Sequence, residues 1–86
     1  MATGTIRYWA AAKAAAGTGE EPYDAATLAD ALVQASGRPG RAGDFARVLA
    51  RSSFLIDGAP VGTRPHDAVD LPDGAVVEVL PPFAGG

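Results

Sequence analysis

An α+β fold, with a mixed sheet carrying helices on one face, is what this 86-residue sequence predicts. Three observations lead there. Thr3–Trp9 alternates in polarity, and Leu28, Ala31, Leu32 and Ala35 recur at helical spacing. Ala75–Leu80 is a nearly unbroken hydrophobic run, which suits a strand with neighbours on both sides.

The elements follow in order. Within Thr3–Trp9, Ile6 and Tyr8 share one face while Thr5, Arg7 and Trp9 share the other, giving a first strand. Ala10–Ala16 has high helix propensity and stops at Gly17, a short helical turn. Gly19–Asp24 returns as a second strand, and Pro22 assigns it to a sheet edge. Thr27 is a good N-cap, with Asp30 three residues on, for a helix that ends at Gly37. Pro39, Gly40 and Gly43 punctuate an Arg38–Gly43 loop. Asp44 is expected to cap a second helix with Phe45, Val48 and Leu49 on one face, and Arg47 and Arg51 toward its negative end.

Ser53–Ile56 is a short strand, Asp57-Gly58 a hairpin turn, and Ala59–Val61 the strand that pairs back. Gly62–Leu71 is expected to be a polar loop, Pro72-Asp73-Gly74 a turn, and Ala75–Leu80 the last strand. Two strands, a helix, further strands and a final strand near the middle of the sheet is the order of a ubiquitin-like β-grasp. Residues 1–80 are expected to form that domain and residues 81–86 a flexible Gly-Gly tail.

Composition narrows the chemistry. Eighty-six residues make one core. With no cysteine, disulfides, zinc–thiolate sites and a thiol nucleophile are excluded. A net charge of −3 argues against nucleic acid or an anionic membrane as partner. No stretch approaches the ~18 apolar residues of a membrane span, and no signal peptide is legible, so the cytoplasm is the expected location.

No active site assembles from the side chains. His66 is the single histidine, between Pro65 and Asp67 with no second ligand, and is expected to be a solvated loop residue; no metal site is expected. Asp67, Asp70 and Asp73 lack the calcium-loop pattern and are taken as a solvated acidic face. Gly17-Thr18-Gly19 has no following Gly-Lys-Ser/Thr and is a turn. Ser52-Ser53 lies outside any nucleophile-elbow context.

The concentrated signal is Pro81-Pro82-Phe83-Ala84-Gly85-Gly86. Two prolines fix φ and remove backbone donors, so a strand ends there and the chain leaves the sheet. Terminal glycines fit a channel too narrow for side chains and present an unhindered acyl group. Six extended residues reach roughly 20 Å. The whole has the form of a handle held by another protein's active site. Beside it, if Tyr8 faces the core, Trp9 turns outward with Arg7. If Val77 and Val79 face inward, Leu80 turns outward with Glu78. Trp9, Leu80 and Val61 would then form an apolar docking patch, the alternative being that Trp9 closes the core at a strand end.

These features resemble the MoaD/ThiS family of sulfur carriers, and most of all its molybdopterin synthase small-subunit branch. The resemblance runs along the whole chain. It rests on the strand passing into a short helix over Ile6–Gly17, the Thr27-Leu28 helix start, the Leu71-Pro72-Asp73-Gly74 turn, and the Leu80-to-Gly86 ending. The Val61–Leu71 loop is longer than the family's, while Lys13 falls where the family tends to carry a basic residue and joins the expected docking set.

The resemblance implies a carrier that is not itself catalytic. A MoeB/ThiF-type, ubiquitin-activating-like adenylyltransferase would use ATP and Mg²⁺ to adenylate Gly86, and a sulfur donor protein would convert the adenylate to a thiocarboxylate. A MoaE-type large subunit would receive Pro81, Pro82, Phe83, Ala84 and Gly85 in its channel. No cofactor bound by this chain is implied. Other readings are a thiocarboxylate carrier for cysteine, thiamine or another sulfur metabolite, a ubiquitin-like protein modifier, or a β-grasp interaction module without covalent chemistry.

Overall fold

The computed structural model describes residues 2–41 and 43–82. Five strands form one sheet in the order β2-β1-β5-β3-β4: β1 Thr3–Tyr8, β2 Glu20–Asp24, β3 Ser53–Ile56, β4 Ala59–Pro60 and β5 Val76–Leu80. β5 runs parallel to β1, with Ile6 opposite Val77, and antiparallel to β3, with Phe54 opposite Val79. The last strand is therefore central, as its hydrophobic run required, and the sheet is mixed. Helices α1 Ala10–Ala16, α2 Leu28–Ser36 and α3 Phe45–Arg51 complete the fold.

Alternation decides what is inside. Ile6, Tyr8, Val77, Val79 and Phe54 point into the core and meet Ala12, Leu28, Ala31, Phe45 and Leu49 from the helices. Ile6, Leu28, Val77 and Val79 have no solvent exposure, and each such side chain stabilises the fold by about 1.5–3 kcal/mol relative to an exposed one. Thr27 caps α2 as expected, its Oγ1 accepting from the Asp30 N–H at 3.2 Å. Asp57 (φ 50°) and Gly58 (φ 85°) make the left-handed pair of a two-residue hairpin turn between β3 and β4.

Both sheet edges are closed by side chains. On β2 the Gln34 amide accepts from Asp24 N at 2.8 Å and donates to Asp24 O at 3.0 Å, while Arg38 donates to Pro22 O. Gln34 thereby takes the place of a neighbouring strand. On β4, Arg64 donates to Pro60 O at 3.3 Å and to Val61 O at 3.0 Å. Pro22 and Pro60 further unsuit these edges for pairing.

Three expectations change. Asp44 makes no capping hydrogen bond, because its backbone (φ −96°, ψ 5°) is not in the extended conformation from which a carboxylate reaches back to the first turn. The 62–71 segment is more than a polar loop. It holds a 3-10 turn at His66–Ala68, buries Val69 and Leu71, and docks on the start of α2 through Leu28 N to Val69 O and Leu71 N to Ala26 O, both 2.9 Å. Within it, His66 stacks edge-on against Phe54, ring centroids 5.0 Å apart, instead of standing free in solvent. Asp67, Asp70 and Asp73 are all exposed, and Asp73 is further tied down, its Oδ1 accepting from Thr3 N at 3.0 Å and Thr3 Oγ1 at 3.2 Å. Those bonds hold its carboxyl below the usual carboxylate range.

Candidate functional site

The site is built around the end of β5. The β1–β5 ladder closes with Trp9 N donating to Val79 O at 3.2 Å, and the β3–β5 ladder with Ser53 opposite Leu80. Pro81 then lies buried and Pro82 exposed. Pro81 has no N–H to extend the central strand, so the chain leaves the sheet where the ladder stops. A groove of about 160 Å³ runs beside this exit, lined by Ala11 of α1, Val48 and Arg51 of α3, and the two prolines. Phe83, Ala84, Gly85 and Gly86, which carry the expected tail chemistry, lie outside the described residues.

Trp9 turns outward, 45% exposed, at the corner where the chain passes from β1 into α1. Ala10, at that corner, adopts a left-handed φ of 48°, a conformation that costs a residue with a Cβ about 1 kcal/mol or more. The indole is held by Glu78, Nε1 donating to Oε1 at 3.2 Å. Leu80 is half-buried one position beyond Val79, on the same face as Glu78 and Val76. Lys13 is exposed and lines a second groove, about 410 Å³, together with Arg7, Tyr8, Trp9, Thr18 and Glu20.

Val61 is the correction. It is 3% exposed and part of the core cluster, its N–H donating to Phe54 O at 3.0 Å. The β3–β4 register, with Leu55 opposite Pro60 and Ile56 opposite Ala59, continues to place Val61 opposite Phe54, so it shares the core face. The exposed set at the tail root is thus Trp9, Lys13 and part of Leu80.

A cluster that sequence reasoning missed supports the corner from beneath. Glu21 sits opposite Ile6 on the inward side of β2 and is paired with Arg38 at 3.1 Å and with Arg41. The Tyr8 hydroxyl donates to Glu21 Oε2 at 2.5 Å. Arg41 also donates to Ala35 O at 2.8 Å and Ala16 O at 2.6 Å, so one guanidinium satisfies carbonyls at the ends of both α1 and α2, and it lies 4.9 Å from the Phe45 ring centre. Burial, then the Glu21 hydrogen bond and charge, push the Tyr8 hydroxyl well above its ordinary value. Burial pushes the Glu21 carboxyl up, but the hydrogen bonds from Arg41, Tyr8 and Arg38 outweigh it and hold the group below the ordinary glutamate range. The available signal was alternation itself. With Tyr23 inward on β2, Glu21 must be inward too, and an inward carboxylate needs cations nearby.

The described residues contain no group of three or more His, Asp or Glu able to hold a metal ion. No helix among them is long and apolar enough to cross a membrane.

A family model, that of the ThiS family, matches residues 6–86. No curated protein matches the chain. Solved structures share the fold. The solution structure of small archaeal modifier protein 1 from Methanosarcina acetivorans superposes with a TM-score of 0.73 at 21% identity, over 100% of this chain and 98% of its own. A Pyrococcus furiosus protein assigned as molybdopterin converting factor subunit 1 gives 0.74 at 23% identity, over 96% and 100%. The Haloferax volcanii HVO 2177 protein gives 0.75 at 25% identity, over 99% and 87%. The mixed five-stranded sheet with its three helices is accordingly a ubiquitin-like β-grasp.

Proposed function

This chain belongs to the ThiS family, and from that premise we propose that it carries sulfur as a thiocarboxylate on Gly86, for the dithiolene of molybdopterin, as the small subunit of a molybdopterin synthase. The observation that carries the reading is the exit at Pro81-Pro82, where the central strand of a β-grasp ends and the chain continues into Phe-Ala-Gly-Gly. A carboxylate is a poor electrophile until one oxygen becomes part of a leaving group. A MoeB/ThiF-type adenylyltransferase supplies that step: Gly86 and ATP, with Mg²⁺, give the acyl-adenylate and pyrophosphate. A sulfur donor protein then delivers sulfide-level sulfur to the acyl carbon, the C–O bond to AMP breaks with its electron pair leaving on AMP, and –C(=O)S⁻ remains.

In this scheme the chain contributes positioning. Pro81 and Pro82 give the tail a rigid root, Phe83 and Ala84 line the channel of a MoaE-type large subunit, and Gly85 permits threading. Trp9, Lys13 and the exposed part of Leu80 dock the body. Catalytic acids and bases belong to the partners, and the reactions take place in the cytoplasm.

The direct test is intact mass after incubation with the activating enzyme, ATP and a sulfur source. Loading adds about 16 Da, the difference between sulfur and oxygen in the acyl group. Transfer of that sulfur to a cyclic pterin precursor by the large subunit then separates the molybdopterin role from supply of cysteine or thiamine synthesis. A second reading, a protein modifier, is favoured by the likeness to a small archaeal modifier protein. It requires an isopeptide bond to a lysine, and denaturing gels would display it as higher-mass conjugates.

A further inference from the structure

Aspartates gather at one end of the sheet, beside Arg38, and exposed cations stand at the other, beside Glu20 and Glu78. At the end where β1 and β5 begin lie Asp24 opposite Thr3, Asp73 bonded to Thr3, Asp57 bonded to Val76, and Asp70 bridged to Thr27. Asp30 follows in the first turn of α2. At the end where β5 leaves the sheet lie Lys13 on α1 and Arg47 and Arg51 on α3, all three exposed. Arg51 lines the groove beside Pro81 and Pro82. Arg47 is one helical turn before it on the same face. Arg7 stands near this end too, but with Glu78 and Glu20 as its cross-strand neighbours. Among the described residues the only ion pairs are those of Glu21, so Arg47, Arg51 and Lys13 have no carboxylate within 4 Å there.

Helix electrostatics account for one of these cations and not the other. Arg51 closes α3, where the macrodipole favours positive charge. Arg47 is the third residue of a seven-residue helix, nearer the end where the macrodipole disfavours it. In a chain of net charge −3, Arg47 and Arg51 form a cationic ridge beside the tail exit, and Lys13 adds a further cation in the neighbouring groove, which Glu20 also lines.

The geometry points to an acidic protein surface as the complement of Arg47, Arg51 and Lys13: the rim of the adenylyltransferase site that admits the tail carries carboxylates facing α3 and α1. The ridge orients the carrier tail-first on approach, while the aspartates at the far end are repelled. This rests on the carrier reading and specifies which face of the body its activating partner holds. Such steering raises association rates and fades as salt screens it over about 10 Å at 0.1 M.

The test is steady-state adenylation by the ubiquitin-activating-like adenylyltransferase of the same organism, followed as pyrophosphate release at about 50 and about 500 mM salt. For Arg47→Glu/Arg51→Glu, KM for the carrier is expected to rise about tenfold or more at low salt with kcat little changed, and the gap to the unmodified protein to narrow at high salt. The neutral pair Arg47→Gln/Arg51→Gln is expected to fall between, and it carries the test alone should the Glu pair fail to fold by circular dichroism. Asp24→Lys/Asp70→Lys, at the opposite end, is expected to leave KM unchanged or lower it. An unchanged or reduced KM in the Arg47/Arg51 variants, or a rise that does not respond to salt, overturns the acidic-rim assignment. Absence of adenylation in the unmodified protein overturns the carrier reading instead, so the two failures are distinct.

Discussion

The Trp9 indole donates to the Glu78 carboxylate, Nε1 to Oε1 3.2 Å, so the largest exposed side chain at the tail root is tethered to the central strand from which the tail departs. A tethered indole loses little further conformational freedom when a partner covers it, and that is the property of an anchor.

Docking can therefore be separated from folding. Trp9→Glu is expected to weaken binding to the activating enzyme by about 2 kcal/mol or more. It should leave the unfolding midpoint nearly unchanged, since Trp9 is 45% exposed. Titration calorimetry and urea unfolding on the same sample measure both. A variant that unfolds without a specific loss of affinity would assign Trp9 to the core.

Gly4 is fixed by contact. A Cβ there would lie 2.2 Å from Ala75 O and 2.6 Å from the Tyr23 hydroxyl, which crosses Gly4 to donate to Ala75 O at 2.9 Å. The obstacles are a backbone oxygen and a phenol held by its own hydrogen bond, so little can give way. Gly4→Ala is expected to cost about 1–3 kcal/mol in urea unfolding. A neutral result would mean that β1 and β5 can separate locally.

The Tyr8–Glu21–Arg41 cluster gives stability a pH signature at both ends. The Glu21 carboxyl is held low, so its contribution is complete above its unfolded value of about 4.3 and is lost as pH falls through the folded value. The Tyr8 hydroxyl is pushed up, so its contribution is complete below about 10 and is lost as pH rises from there through its folded value. Tyr8→Phe is expected to reduce the alkaline loss, read as thermal midpoint against pH, leaving the part that comes from the Tyr23 hydroxyl, which burial also pushes up. A Tyr8→Phe profile that still falls above pH about 10 as steeply as the unmodified protein's would place the alkaline titration elsewhere.

Arg41→Met removes the stronger of the two Glu21 partners and leaves helix-end carbonyls unsatisfied. With Arg38 remaining on Glu21, the expected loss is about 3 kcal/mol, at the lower edge of what breaking a buried pair costs. Chemical denaturation measures it. A loss below about 0.5 kcal/mol would class the pair with surface ion pairs.

Much of this fold was legible because its signals are local and periodic. The Thr27 cap, the Asp57-Gly58 hairpin, the outward turn of Trp9 and the central place of Val76–Leu80 each follow from a few adjacent residues. What escaped depends on residues far apart in sequence. Arg41 joins Ala16, Glu21 and Ala35 from a loop whose glycines and proline gave no hint of it. Val69 and Leu71 were hidden among polar neighbours, yet their loop docks on α2. Val61 was assigned to the wrong side because its face is set by the partner across the hairpin, core-facing Phe54, and not by the tail beside which it was placed. At the site, the exit at Pro81-Pro82 was readable from proline chemistry alone, whereas the cationic ridge of α3 beside it required the packing of α3 against α1.

The central claim is that sulfur is carried on the Gly86 carboxyl, and intact-mass comparison of the full chain with a Gly86-deleted chain tests it most directly. Both are incubated with the activating enzyme, ATP and a sulfur source. Deletion withdraws the acyl carbon by about 3.3 Å, and a displacement of even 1 Å can cost about a hundredfold in rate. The full chain is expected to gain about 16 Da, mapped by fragmentation to its last residue, and the shortened chain to gain nothing while keeping its fold. Equal loading of the two chains, or a gain that maps away from the terminus, would contradict the account.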